Sequence, residues 1–260
     1  MTREAFEPAV TEPALPPDFI PLRKPWSSLA MLRDVTRSDL ETAGDFDEAA
    51  ELLLFDMNTE YDAMNLSDFF KRQMAAGGLE LTPEFLAFCE AWLADEWNHY
   101  EGYRLLYGLC TGRTAEDLHR EVVARPANFE PILDFIRDEF SICMVIAYDE
   151  FFTVRSCTQD FPLFESFGKP YLLDWIKLVA RDEGYHYRNA MEVIRRRHAD
   201  RIPEAPAFID RLIEWDLQGG GDYGATFVLD HEESRYTRDE LIRIKQKILA
   251  LLDRQDPLDD

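Results

Sequence analysis

The sequence predicts an all-α protein. Four long helices gather around one shared cluster of carboxylates and imidazoles, with an extended N-terminal arm before them and shorter helices after. Three observations carry this expectation. Apolar residues recur at steps of three and four through four long segments, and no alternating run longer than a few residues suggests a strand. The string Asp-Glu-x-x-His is written twice, at Asp95–His99 and Asp182–His186, each time inside such a periodic segment. Four helices that each send carboxylates inward, two of them with a Glu-x-x-His pair, are a known way to build a two-metal site.

The elements follow in order. Residues 1–26 carry Pro8, Pro13, Pro16, Pro17, Pro21 and Pro25. Proline fixes φ and removes a donor, so this stretch is extended, and the arm is assigned to residues 1–43. A helical pattern runs from Phe46 to Ala75 and stops at Gly77-Gly78. Thr82-Pro83-Glu84 opens a second helix with a capping Thr and a Pro at the first helical position. It ends before Gly112. A polar connector over 113–129 holds a short helix capped by Thr114, and a third long helix is expected over 130–157. Phe161-Pro162 and Gly168-Lys169-Pro170 punctuate the next link, and a fourth helix runs from Tyr171 to Ala199. Residues 44–200 are therefore assigned to the metal-binding helices and 201–260 to C-terminal helices packed on them. The latter comprise a helix near 206–217, a loop at Gly219-Gly220-Gly221 and a final helix opened by the capping box Thr237-Arg238-Asp239-Glu240.

Composition narrows the function. The chain has 260 residues, 46% of them apolar, which is enough for one sizeable core. A formal charge of −23 repels phosphate backbones and anionic lipid, arguing against nucleic acid and membrane surfaces as partners. No apolar run reaches the ~18 residues that a bilayer needs, and the first residues lack the pattern of a signal peptide. Cys89, Cys110, Cys143 and Cys157 form no C-x-x-C pair, which excludes zinc knuckles and rubredoxin-like sites and suits the reduced thiols of a cytoplasmic protein. The one basic run, Arg195-Arg196-Arg197-His198 with Arg201, is either a dock for an acidic partner or a solvated helix end.

The candidate metal ligands are Glu60, Glu96, His99, Glu150, Glu183 and His186. Residues at i and i+3 share a helix face, so Glu96 points with His99 and Glu183 with His186. Both pairs interrupt otherwise apolar stripes: Phe85, Cys89 and Trp92 lead into the first, Leu172, Ile176 and Val179 into the second. Glu150 stands in a segment that is apolar nearly all round, and Glu60 lies on the stripe of Leu53, Met57 and Met64. An unpaired carboxylate in such surroundings costs several kcal/mol, about 2–7 even for a neutral polar group, and a cation is one of the few ways to hold it. The alternative is a set of structural ion pairs. A third Glu-x-x-His, Glu116 to His119, lies in a polar segment without an apolar face and is read as accidental.

The spacing resembles that of the ferritin-like di-iron oxidases and oxygenases. Glu60 to Glu96 and Glu150 to Glu183 each fit one helical hairpin, and the longer interval between Glu96 and Glu150 fits a crossover. It is most similar to the soluble acyl-carrier-protein desaturases, as are two local strings, Asp56-Met57-Asn58-Thr59-Glu60 and Glu150-Phe151-Phe152-Thr153. The resemblance covers residues 45–200. It implies a ferritin-like four-helix bundle, two iron ions (with manganese as the second candidate), O2 as co-substrate and an external electron donor such as a ferredoxin or a reductase. It implies an apolar organic substrate, carrier-bound or free, and allows for a homodimer. It also implies that Asp182 serves His99 and Asp95 serves His186 from behind, and that Thr153 is a catalytic proton relay. The related arylamine N-oxygenases carry an extra His where this chain has Val179, which argues against them.

The expected activity is thus a desaturase- or hydroxylase-type oxidation of C–H bonds. Oxidation of a small aromatic or amine metabolite is the runner-up, and a ferroxidase or radical-storing protein is the third reading. Tyr61, Tyr148 and Tyr185 neighbour ligands in sequence and are candidate radical carriers, against a plainer role as core aromatics.

Overall fold

A computed structural model describes residues 19–41, 46–218 and 236–254. The prolines at 8, 13, 16 and 17 and the Gly219-Gly220-Gly221 loop lie outside them. Among the described residues the fold is all-α, with no strand. The helices are α1 (Ser28–Met31), α2 (Arg37–Leu40), α3 (Phe46–Ala75), α4 (Pro83–Thr111), α5 (Ala115–Ala124), α6 (Glu139–Ser166), α7 (Pro170–Arg197), α8 (Ala205–Leu217) and α9 (Arg238–Leu252). None of them is long and apolar enough to cross a membrane.

Local signals account for most boundaries. Thr82 Oγ1 accepts from the Phe85 N–H at the start of α4, and Thr114 does the same for Asp117 at the start of α5. Gly112 closes α4 at φ 70°, a left-handed conformation that glycine adopts without strain. Thr237 and Glu240 form the expected capping box of α9.

Three expectations need correction. The third long helix does not begin at 130: Glu130–Phe135 forms a 3-10 turn, and α6 starts at Glu139, where Asp138 caps the Ser141 N–H. The same helix does not stop at 157 but runs through Phe161-Pro162, expected to punctuate the link, to Ser166. Pro162 lies four residues before the helix ends and removes the N–H that would bond the Thr158 carbonyl, a loss confined to the last turns. In the described part of the stretch assigned to the arm, residues 19–27 form no helix, but Ser27 caps α1 and Thr36 caps α2.

The four long helices form two pairs. α3 packs on α4 across the Gly77-Gly78 turn, and α6 packs on α7 across Gly168-Lys169. α4 then meets α7, while α5 and the 3-10 turn carry the chain from one pair to the other. Gly102 permits a close α4–α7 approach, since a Cβ there would lie 2.5 Å from the Trp175 ring. α8 and α9 pack on each other and on α6.

Buried apolar residues form two clusters, one toward each end of the long helices. One holds Phe70, Phe85, Trp92, Ile146, Val193 and their neighbours. The other holds Leu53, Met57, Tyr103, Trp175 and Val179. Each fully buried large side chain contributes about 1.5–3 kcal/mol. On α3, α4 and α7 the step from one cluster to the other falls at Glu60, at Glu96 and His99, and at Glu183 and His186. A charged layer therefore crosses the middle of the fold, between two apolar halves that hold its helices in place.

Candidate metal centre

The helical step of three aligns Glu96 with His99 on α4 and Glu183 with His186 on α7. α3 adds Glu60 and α6 adds Glu150, and all six side chains are buried. They form two groups that share members: Glu60, Glu96, His99 and Glu183 in one, Glu96, Glu150, Glu183 and His186 in the other. Within each group, one potential ligand atom per residue lies within 4.8 Å of all the others. The two lone glutamates belong to one group each, while Glu96 and Glu183 belong to both.

Each imidazole has an inner and an outer face. His99 Nδ1 lies 3.1 Å from Glu183 Oε1 and 3.3 Å from Glu60 Oε2. Its Nε2 lies 3.3 Å from Asp182 Oδ2 on the far side. His186 Nδ1 lies 2.7 Å from Glu183 Oε2, 3.0 Å from Glu96 Oε1 and 3.6 Å from Glu150 Oε2. Its Nε2 faces Asp95 Oδ2 at 3.6 Å, just beyond hydrogen-bonding reach. Each aspartate thus stands behind the histidine of the other helix.

The electrostatics show why such a cluster asks for cations. Burial raises the pKa of Glu60, and burial together with the Glu60 and Glu150 carboxylates raises that of Glu96 well above its usual range. Burial, then Glu183, lifts Glu150 to about 8. Burial disfavours the charged forms of His99 and His186 too, but the surrounding carboxylates win and raise both well above 6.5. Burial also pushes Glu183 up, yet the two imidazoles draw it below its usual value. Four buried carboxylates at contact distance cannot all be ionised unless positive charge is supplied. Protons supply it in part here; two divalent cations would balance four carboxylates and leave both imidazoles neutral.

Hydrogen bonding supports the same fit. Glu60 Oε2, Glu96 Oε1, His99 Nδ1 and Glu183 Oε1 are buried and form no hydrogen bond, although they approach one another. Buried polar atoms are nearly always satisfied, and metal ions held by the cluster would satisfy these. Carboxylates with imidazoles, and no thiolate, suit iron or manganese.

Several neighbours of the ligands are not among the expected site residues. The Trp92 indole N–H donates to Glu150 Oε1 at 2.7 Å, which leaves Glu150 Oε2 toward His186. Trp92 sits one turn before Glu96 on the same stripe, so the helical pattern could have placed it near the site. From the arm, Arg23 Nε donates to Asp95 at 2.8 Å and Trp26 Nε1 donates to Asp182 at 2.5 Å. Arg181 also holds Asp182, at 2.7 Å. Nothing in the arm's proline pattern points to these contacts, because they join residues far apart in the chain.

The remaining candidates fall elsewhere. The Thr153 hydroxyl donates to the Asp149 carbonyl one turn back, at 3.2 Å. Tyr61 packs with Trp97, Tyr100 and His119. Tyr148 donates to Asp216 at 2.5 Å, and Tyr185 receives the Lys24 and Arg181 cations on its ring. Glu116 of the third Glu-x-x-His pairs with Arg120 at the surface. The basic run is engaged by the chain's own acids: Arg195 and Arg196 with Glu192, Arg197 with Glu84, and Arg201 with Asp138 and Glu204. A cleft of about 320 Å³ opens beside α8, lined by Phe135, Asp210, Arg211, Glu214, Trp215 and Gln218, none of which belongs to the buried cluster. All four cysteines are buried free thiols.

The buried Glu/His cluster is thus a place where the chain could hold metal ions, and its two groups share two carboxylates. Comparison with known proteins adds no relative: no family model, no curated protein and no solved structure matches the chain.

Proposed function

We propose that the chain is a non-haem di-iron oxidoreductase on a ferritin-like four-helix bundle, using O2 and an external electron donor to oxidise C–H bonds of an apolar substrate, as desaturases and hydroxylases do. The observation that carries this reading is the pair of ligand groups overlapping at Glu96 and Glu183. Sharing two carboxylates is what a dinuclear centre would need, because Glu96 and Glu183 could then serve both ions. When bound, two irons supply the electrons and open coordination positions with which O2 is activated.

The rest of the work falls to side chains. Asp182 and Asp95 favour a proton on the outer nitrogen of each imidazole, so that Nδ1 offers its lone pair inward. Trp92 occupies one oxygen of Glu150 and orients the other. Burial of every ligand excludes water, which strengthens each electrostatic contact and protects reactive species. Met57, Ala147 and Phe152 are buried, and Met64 and Phe151 are partly so; they surround the ligand turns with apolar side chains suited to a hydrocarbon. The Thr153 hydroxyl is engaged with its own helix, so a relay role requires it to leave the Asp149 carbonyl. Buried free thiols and the absence of a membrane-spanning helix among the described residues are compatible with a cytoplasmic enzyme.

The test is to load the protein anaerobically with Fe2+, confirm two ions per chain, and mix it with O2 with and without fatty acyl thioesters. Uptake of O2 matched by a desaturated or hydroxylated acyl product is the expected result. Turnover of small aromatic amines alone would establish the runner-up instead. Oxidation of many irons per chain with no organic product would replace both readings with a ferroxidase.

A further inference from the structure

Residues 19–28 lie lengthwise in the groove between α4 and α7, on the side to which both imidazoles turn their outer nitrogens. The contacts run in order. Leu22 exchanges two backbone hydrogen bonds with the Asn189 side chain, at 2.8 and 3.0 Å. Arg23 reaches Asp95. The Lys24 carbonyl accepts from Arg181 at 2.9 Å. Trp26 reaches Asp182, with its ring 6.2 Å from that of His99. Ser28 is held by Asn98 through its N–H and by Trp175 through its hydroxyl. The strap thus touches both aspartates that back the imidazoles.

The two aspartates are not held alike. Asp182 accepts the Trp26 N–H and His99 on Oδ2, and takes Arg181 on Oδ1. Asp95 takes Arg23 on Oδ1 and faces His186 with Oδ2. Removing the Trp26 N–H leaves Asp182 with a cation. Removing the Arg23 charge leaves Asp95, whose side chain is 4% exposed, without the cation that holds it. A buried carboxylate in that state turns toward water, which loosens its hold on His186.

We propose that Arg23 and Trp26 are positioning residues that set how tightly each metal ion is retained, and that they make the two ions unequal: the ion at Glu150 and His186 depends on Arg23, whereas the ion at Glu60 and His99 is backed by both Trp26 and Arg181. This rests on the dinuclear reading but not on the identity of the metal or on any turnover.

The experiment uses Co2+ as the probe, whose visible ligand-field bands report geometry and occupancy. The full chain is loaded with Co2+, and release to excess chelator is followed by absorbance. In Arg23→Gln, half of the cobalt should leave about 10- to 100-fold faster than in the parent protein while the other half keeps its rate. Arg23→Lys, with the charge retained at shorter reach, should move that half back toward the parent rate. Trp26→Phe should change neither phase by as much as Arg23→Gln changes one. Asn189→Ala frees Leu22 without touching either aspartate and should leave both phases as they are. Unchanged release in Arg23→Gln overturns the inference. So does equal acceleration of both halves, and so does an Asn189→Ala profile matching that of Arg23→Gln, since each is what a merely loosened strap would give. If the parent chain binds no Co2+, the dinuclear reading fails and takes this inference with it; if it binds two ions and Arg23→Gln releases them normally, this inference fails alone. Circular dichroism of each variant checks folding, and Arg23→Lys keeps the test decisive should Arg23→Gln not fold.

Discussion

Glu-x-x-His is written three times in this chain, and the copies on α4 and α7 behave unlike the copy on α5. All three have the same helical geometry. On α4 and α7 the pairs are buried, face two other carboxylate-bearing helices and carry imidazoles whose affinity for protons is raised by the acids around them. On α5 the Glu116 side chain is 87% exposed and pairs with Arg120. His119 is only half-buried, bonds to the Tyr100 hydroxyl at 2.9 Å, and has its pKa lowered by burial and by Arg104. Spacing decides which side chains share a face, and the apolar residues around that face decide whether it looks at other helices or at water. A carboxylate–imidazole pair becomes a candidate ligand set only in the first case.

The largest expected effect breaks this comparison outright if it fails. Glu150→Ala and His186→Ala each remove a member of one ligand group, and retained iron or cobalt should drop from two ions per chain to one or none. Glu116→Ala and His119→Ala should leave two. Elemental analysis of the purified variants measures both. Metal loss in the α5 variants, or full retention in the α6 and α7 variants, would reverse the assignment.

Acidity sharpens it next. In the metal-free protein Glu150 keeps its proton up to about pH 8, whereas in the unfolded chain it releases it near 4.5. Between those values the folded state binds more protons than the unfolded state, so this group's contribution to stability is fully present below about pH 4.5 and is lost as pH rises toward 8. Glu60 and Glu96, raised in the same direction, add to the slope. Replacement by Gln removes the titration. Urea unfolding of metal-free Glu150→Gln should therefore gain stability relative to the parent on going from pH 5 to pH 8, by on the order of a few kcal/mol. Bound metal should cancel the difference for the parent, because coordination replaces the proton. Parallel pH profiles for the two metal-free proteins would show that the Glu150 environment is ordinary.

How much of this was legible beforehand depends on the range of the interactions. The four long helices and the six cluster residues could be read because periodicity, capping such as that by Thr82, and i, i+3 spacing are local properties. The cross-helix relation of Asp95 and Asp182 is an implication of the family resemblance and not of local spacing; the outer imidazole nitrogens lie 3.3 Å from Asp182 and 3.6 Å from Asp95. The start of α6 differs from the expected 130 because Glu130–Phe135 turns as a 3-10 segment and Asp138 supplies the cap. The strap was not legible at all. Arg23 and Trp26 look like any residues of a proline-rich arm, and their partners lie 72 and 156 positions away.

A smaller effect concerns the aspartates, which the α5 copy lacks: Ala115 stands where Asp95 and Asp182 stand in the others. Asp182→Asn keeps the shape but weakens the acceptor behind His99. Metal affinity should fall about 10- to 100-fold, measured by competition with a chelator of known affinity. Unchanged affinity would mean that the aspartate contributes only to packing, and that the third copy is distinguished by burial alone.

The smallest effect tests whether His119 is a structural partner and nothing more. The Tyr100 ring is fully buried, burial holds its hydroxyl protonated up to about pH 12, and that hydroxyl shares a 2.9 Å hydrogen bond with His119 Nδ1. Tyr100→Phe preserves the ring and its packing against Tyr61 and Trp97 while deleting the hydroxyl's bond to His119 and its contact with Arg104 on the same helix. His119 is half-buried and can turn its nitrogen to water, so the loss should be that of an ordinary hydrogen bond, about 0.5–1.5 kcal/mol in urea unfolding. Metal content should stay at two ions per chain even though Tyr100 directly follows His99 in sequence, because the lost bond points to α5 and away from the cluster. A fall in metal content with unchanged stability would join α5 to the metal site and erase the distinction between the third copy and the other two.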